Sequence, residues 1–156
     1  MFTADPRLYF DDLYINTSDL IQYVSLDGSI QAVNPSWLRR LGYDSEQLAG
    51  KNIYDLIVDG DRERFRAYRT QVVSGQNVDD IEFRFASRTG KLITVEGHLR
   101  PFFKNDSLIH TRGVFRDITY RKEKEASLNS AFQRLASFMA HAPSAIVVID
   151  EQQHIK

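Results

Sequence analysis

The chain has 156 residues, 42% hydrophobic and 26% charged, a length suited to one compact core with an appendage and a balance far from that of disordered chains. Twenty Lys and Arg stand against 21 Asp and Glu, so the formal charge of -1 supplies no bulk field toward nucleic acid or an acidic membrane. With no cysteine, disulfides, thiolate metal sites, Cys nucleophiles and thiol-linked chromophores are excluded, and a reducing cytoplasmic setting is expected.

Asp5 followed by Pro6 predicts an N-cap with proline in the first helical position. Phe10, Leu13, Tyr14 and Thr17 then recur at helical spacing, so residues 1–17 are expected to form an amphipathic N-terminal helix. Asp11 and Asp12, with Asp5, interrupt any signal-peptide core, and the longest apolar run, residues 145–149, is far shorter than the roughly 20 residues a membrane span needs. Residues 21–26 and 29–33 are strand-like runs around Asp27-Gly28, a dipeptide suited to a tight antiparallel hairpin. Asn34-Pro35 caps a short helix carrying Trp37, Leu38 and Leu41 and stopped by Gly42. Asp44 with Gln47 predicts a capping box for a further turn closed at Gly50. After Ile53, Leu56 and Ile57, a longer helix over residues 61–73 presents Phe65, Tyr68 and Val72 as its apolar stripe and stops at Gly75.

The next segment reads as strand throughout: residues 80–86, 92–103 and 108–119, separated by turns at Thr89-Gly90 and Asn105-Asp106. Two strands, a belt of short helices and three strands predict an α+β fold, a five-stranded antiparallel sheet with the helices on one face and an enclosed inner space. Strand parity and helical spacing turn Trp37, Leu41, Ile53, Leu56, Phe65, Val72, Phe83, Phe85, Val95, Leu99 and Phe115 toward that space, where they either line an apolar pocket or close it. Three inward phenyl rings, Phe83, Phe85 and Phe115, leave limited room, which favours a small apolar metabolite or no ligand over a large cofactor.

From Tyr120 the chain turns to Arg-Lys-Glu-Lys-Glu, and Leu128, Phe132, Leu135, Met139 and Ala142 follow a four-three repeat. The repeat leaves open whether residues 120–142 fold back on their own domain or pair with another helix. In residues 143–156, Ala145 to Asp150 parallels Gln22 to Asp27 of the first hairpin. They are expected to begin a second domain of the same kind, so the chain reads as a piece of a longer protein.

Several landmarks in order resemble the PAS superfamily over residues 17–119: Asp27-Gly28-Ser29-Ile30, Asn34-Pro35-Ser36-Trp37-Leu38, Leu41-Gly42-Tyr43, Glu82-Phe83-Arg84, Thr89-Gly90-Lys91 and Gly113-Val114-Phe115-Arg116-Asp117-Ile118-Thr119. Asp117-Ile118-Thr119 before Tyr120-Arg121-Lys122-Glu123 is similar to the family's signal-exit motif, where the last strand hands over to an output helix. The resemblance implies a sensory domain over residues 18–119 and a coiled-coil signalling helix over 120–142. It also implies a homodimer and a place in a bacterial sensor histidine kinase or diguanylate cyclase, whose effector lies elsewhere in the parent chain.

Cofactor chemistry known among such relatives fits this sequence poorly. Covalent flavin photochemistry needs a Cys after Gly-x-Asn, where Gly50-Lys51-Asn52 is followed by Ile53, and a Gln on the last strand, where Phe115 stands. An axial haem His is missing from residues 61–73. His98, His110, His141 and His154 show no metal-ligand spacing, and His98 and His110 are expected on the outer sheet face as solvated or interface imidazoles. Trp37 is expected to fill the core rather than stack on a planar cofactor, and Arg84, of opposite parity to Phe83 and Phe85, to form an outer salt bridge.

No phosphate-binding loop, nucleophile elbow or carboxylate pair indicates catalysis, so the chain reads as a non-catalytic input domain. The leading expectation is a module that binds a small ligand or relays conformational change to a downstream effector. The alternative is a ligand-free dimerisation module, with Phe10, Leu13 and Tyr14 covering the outer sheet face and Leu128, Phe132, Leu135 and Met139 pairing helices.

Overall fold

In the computed structural model, which describes residues 4–141, the Asp27-Gly28 turn joins β1 (Leu20–Ser25) to β2 (Ile30–Val33) as an antiparallel hairpin. Gly28 adopts φ 93°, and a Cβ there would lie 2.7 Å from the Asn52 amide that holds the turn's Asp27 carbonyl. Both conditions select glycine. The Asp27 carboxylate accepts hydrogen bonds from the Ser25 hydroxyl and from the Ser29 backbone, which hold it down at about 2.

Side-chain caps then define the helix belt. Asp5 caps α1 (Pro6–Asn16) through Arg7 N–H, and Asn34 caps α2 (Pro35–Leu41) through Trp37 N–H. Asp44 N–H donates to Gln47 Oε1 at the head of α3 (Ser45–Leu48), and a 3-10 turn follows at Ile53–Leu56. Helix α4 (Asp59–Val73) starts two residues ahead of its expected position. Its buried side chains are Asp61, Phe65, Arg69 and Val72, with Tyr68 only half-buried, so the inward stripe includes two charged residues that the apolar pattern left out.

Strands β3 (Val78–Ala86), β4 (Leu92–Lys104) and β5 (Ser107–Asp117) complete one antiparallel sheet of order β2-β1-β5-β4-β3. β3 begins earlier than expected because a bulge between Val78 and Ile81, with Asp80 at φ 53°, restores its pairing with β4. The β4–β5 turn places Asn105 and Asp106 at φ 50° and 62°, the left-handed pair that suits the twist of a hairpin. β5 ends at Asp117 rather than Thr119, because the Asp117 carboxylate accepts Thr119 N–H and hydroxyl and turns the chain into α5 (Thr119–His141).

The core lies between the inner sheet face and α2, α3, the 3-10 turn and α4, where Phe65, Phe83, Phe85 and Phe115 are no more than 1% exposed. The chain divides into two units between residues 119 and 120, and residues 120–141 of α5 are the described part of the second. The expected second domain at 143–156 lies outside the described residues. No helix among the described residues is long and apolar enough to cross a membrane.

Candidate functional site

All eleven expected pocket-lining residues, from Trp37 to Phe115, meet in the inner core, none more than 3% exposed. Phe83 stands at their centre, its ring 4.7 Å from Phe65, 4.8 Å from Phe85 and 5.0 Å from Phe115, centroid to centroid. These edge-on and tilted contacts are the favoured aromatic geometries, and they fill the middle of the inner space with the protein's own rings. Trp37 meets Phe85 edge-on at 5.7 Å and donates its indole N–H to Gln22 Oε1 at 3.2 Å. Gln22 is 1% exposed, and its Nε2 has no partner among the described residues. It shares the inward parity of Leu20 and Val24 on β1, a signal available in the sequence but carried by a polar residue.

Two polar clamps at the margins of this core were not identified from sequence. Arg69 of α4, 3% exposed, donates to Thr111 Oγ1 at 3.0 Å, Ser25 O at 2.9 Å and Leu26 O at 3.2 Å, tying the helix to the end of β1 and the middle of β5. Burial pulls its guanidinium below the usual value. Asp61, also 3% exposed, accepts Arg84 N–H and Nε at 2.9 Å each and pairs with Arg64 at 3.1 Å. Arg84 therefore has its expected salt bridge, but the partner is a buried carboxylate at the head of α4.

Burial pushes the Asp61 carboxyl up, while the hydrogen bonds and charge of Arg84, with Arg64, more than offset this and hold it below the usual range. A lowered folded-state value means that Asp61 stabilises the fold fully above its unfolded value of about 3.9, and that this contribution is lost as pH falls through the folded value. Asp61→Asn should cost about 1–3 kcal/mol at neutral pH, because the Arg84 donors lose a charged acceptor. Urea melts should also show a shallower fall in stability below about pH 4. An acid limb as steep as the wild type would remove Asp61 as its source.

At the foot of β5 the signal-exit residues form a latch. Asp117 accepts Thr119 N–H at 2.8 Å and its hydroxyl at 2.6 Å, and pairs with Arg40 of α2 at 2.7 Å. Thr119 Oγ1 in turn accepts Thr94 N–H from β4, and Ile118 N–H donates to Thr94 O. One carboxylate thus joins the helix belt, the sheet and the first residue of α5.

The outer sheet face carries His98 and His110 as expected. His110 stacks on Phe102 at 5.6 Å, with Tyr23 edge-on to Phe102 at 6.0 Å. Burial, then the charges of Arg100 and Arg112, hold His98 below its ordinary value. An open cleft of about 570 Å³ on this face is bordered by Asp19, Asp79, Asp80, Glu82 and Glu96. Of the expected pairing residues, Phe10 and Leu13 are exposed and Tyr14 half-buried on α1, while Leu128, Phe132, Leu135 and Met139 are exposed on α5.

A family model described as a PAS domain matches residues 19–120. This chain belongs to the PAS domain family. PAS domains are sensory signalling modules, and the five-stranded antiparallel sheet with its helix belt is the fold expected from the resemblance. The PAS domain of a protein from Colwellia psychrerythraea is similar, with 26% identity and a TM-score of 0.67, over 74% of this chain and 99% of that one. The PAS domain of an HTR-like protein from Haloarcula marismortui shares 25% identity at a TM-score of 0.62, over 72% and 92%. A sensory box histidine kinase/response regulator from Burkholderia thailandensis shares the fold at 18% identity and a TM-score of 0.63, over 83% and 98%. No curated protein matches the chain.

Proposed function

We propose that this PAS domain is a conformational relay, in which rearrangement of the helix belt is passed through the Arg40–Asp117–Thr119 latch to α5 and on to an effector in the parent chain. The observation that carries this reading is the shared carboxylate of Asp117, which α2 and the first residue of α5 hold at once. A shift of α2 that draws Arg40 away frees Asp117 to rearrange, and Thr119, the first residue of α5, then loses its hydrogen-bonded anchor. The stripe of Leu128, Phe132, Leu135 and Met139 offers α5 a helical partner in a second copy, and in that pair a change of angle becomes a change of packing. A cytoplasmic effector of the histidine kinase or diguanylate cyclase type suits such an output.

The test is a graft of the chain, in helical register, onto the catalytic half of a sensor histidine kinase. The latch pairs an exposed Arg40 side chain with an Asp117 side chain only 13% exposed and is worth about 1 kcal/mol, so Arg40→Gln or Asp117→Asn should shift kinase output about fivefold while the domain stays folded. Leu128→Asp with Leu135→Asp should silence the response. Output unaffected by both latch variants would rule the relay out.

A second reading, sensing of a small apolar metabolite, is favoured by one observation: the buried Gln22 Nε2, a donor with no hydrogen-bond partner among the described residues. A ligand presenting one acceptor would satisfy it by displacing the neighbouring rings, without covalent flavin or His-ligated haem. Native mass spectrometry separates the readings, since a retained molecule lost in Gln22→Leu supports sensing and bare protein mass supports relay alone.

A further inference from the structure

A cleft of about 390 Å³ opens where the turn after α1 meets the last turn of α2. Leu20 is its one apolar lining residue; the others carry hydroxyl, amide or guanidinium groups, and none of them is acidic. Its charge is opposite in sign to that of the acid-bordered cleft on the outer sheet face.

The charge resides in Arg39 and Arg40, exposed neighbours in the last turn of α2. Asp117 matches Arg40 at 2.7 Å, whereas Arg39 donates to Ser36 Oγ at 3.0 Å and pairs with no carboxylate among the described residues. Two acids near the cleft in sequence are engaged elsewhere, Asp12 by Asn16 Nδ2 at 2.6 Å and Asp19 by Arg116 at 3.7 Å. Ser36 is 7% exposed, and its hydroxyl donates to the Thr17 carbonyl while it accepts from Arg39. A buried hydroxyl thus tethers the Arg39 guanidinium to the cleft wall, which lowers the cost of ordering it around a ligand. Thr17 Oγ1 accepts Asp19 N–H, so its own proton, like that of Ser18, is available to an acceptor.

We propose that this cleft binds the phosphoryl group of a small soluble molecule between Arg39 and Arg40, and that the bound group competes with Asp117 for Arg40. Two guanidinia carry two positive charges, which a phosphoryl group of about -1.5 to -2 at neutral pH matches and a single carboxylate only halves. The phosphoryl group and the Asp117 carboxylate repel each other across one guanidinium, so each weakens the other's hold by the same factor. As a signal the ligand depends on the relay proposed above, since it draws Arg40 from the latch; its binding does not.

Inorganic phosphate is the probe, titrated into the isotope-labelled full chain at neutral pH and constant ionic strength while the backbone amide resonances of Thr17, Ser18, Arg39 and Arg40 are followed. Arg39→Gln and Arg40→Gln should each weaken binding about tenfold, and acetate should bind about tenfold more weakly than phosphate. Asp117→Asn should tighten binding about fivefold, the reciprocal of the latch's hold on Arg40. Arg39→Gln changes an exposed side chain, so a wild-type circular dichroism spectrum keeps it decisive should Asp117→Asn impair folding. No saturable shift at these amides, affinity indifferent to Arg39→Gln and Arg40→Gln, acetate binding equal to phosphate, or no tightening in a folded Asp117→Asn would each overturn the proposal. Binding to vesicles containing phosphatidic acid without binding to inorganic phosphate would also overturn it, in favour of a lipid headgroup. In the kinase graft, saturating phosphate should move output in the direction of Arg40→Gln. Binding that follows the variants while output stays fixed would overturn the relay and leave the site standing.

Discussion

Replacing Phe83 with alanine should lower stability by about 3–5 kcal/mol, a large part of the margin a domain of this size possesses. The ring contacts three others within 5.0 Å and is 1% exposed, so the truncation removes its transfer energy and also leaves three rings without a partner on one side. Collapse cannot fill the gap cheaply. Phe85 is fixed by pairing opposite Ile93 on β4, Phe115 by pairing opposite Gly97 on the same strand, and Phe65 by helix α4, so none of the neighbours moves without carrying its backbone. A urea titration should show the midpoint falling at nearly constant slope, the sign of lost stability rather than altered compactness. The same variant tests the capacity of the inner space. An apolar cavity created there should take up benzene and recover part of the loss by mass action. A midpoint unchanged from the wild type would mean that the rings do not pack as described.

How far the sequence could lead depends on which physical signal each residue carries. Strand alternation oriented Ile81, Phe83 and Phe85 correctly because a period of two admits only two faces, and a misassignment would have put three large apolar groups in water. Caps at Asp5, Asn34 and Asp44 were legible because a short polar side chain before a proline or an apolar run satisfies local backbone donors, a task that needs no tertiary information. Arg69 was missed although it follows Phe65 by four residues and precedes Val72 by three, on the inward face of α4. A charged side chain is ordinarily assigned to solvent, and only the folded chain reveals that Ser25, Leu26 and Thr111 converge to accept from it. The latch was half visible: Asp117-Ile118-Thr119 stood out as a motif, but nothing local to Arg40 says that α2 passes within 2.7 Å of it. Contacts between residues 77 positions apart are set by how the belt closes over the sheet, and no periodicity encodes that closure. Gln22 falls between these cases, since its inward direction follows from parity while the partner of its carbonyl, Trp37, follows from packing alone.

Gly97→Ala should prevent formation of the native sheet, with a cost of about 3 kcal/mol or more, for a reason unrelated to backbone freedom. Gly97 lies on β4 opposite Phe115, and a Cβ there would sit 2.0 Å from the Val114 carbonyl oxygen and 2.8 Å from Phe115 Cα. Both obstacles are backbone, so no rotamer change relieves the clash. The strands must part locally, and parting them breaks β4–β5 hydrogen bonds and pulls the Phe115 ring from the aromatic cluster. The damage also reaches the signalling end of the domain, because Asp117 is positioned by the same ladder, opposite Val95. Gly60→Ala provides the contrast. Gly60 lies in the first turn of α4, and the nearest atom to an added Cβ is Arg84 Nη2 at 3.7 Å, an ordinary contact. That substitution should be neutral or stabilise by up to about 1 kcal/mol, since alanine loses less backbone entropy in a helix. Thermal melts of the two variants side by side decide the matter. Similar transitions for both would show that β4 and β5 do not approach at Gly97, and the route from the aromatic core to Asp117 would then lose its physical basis.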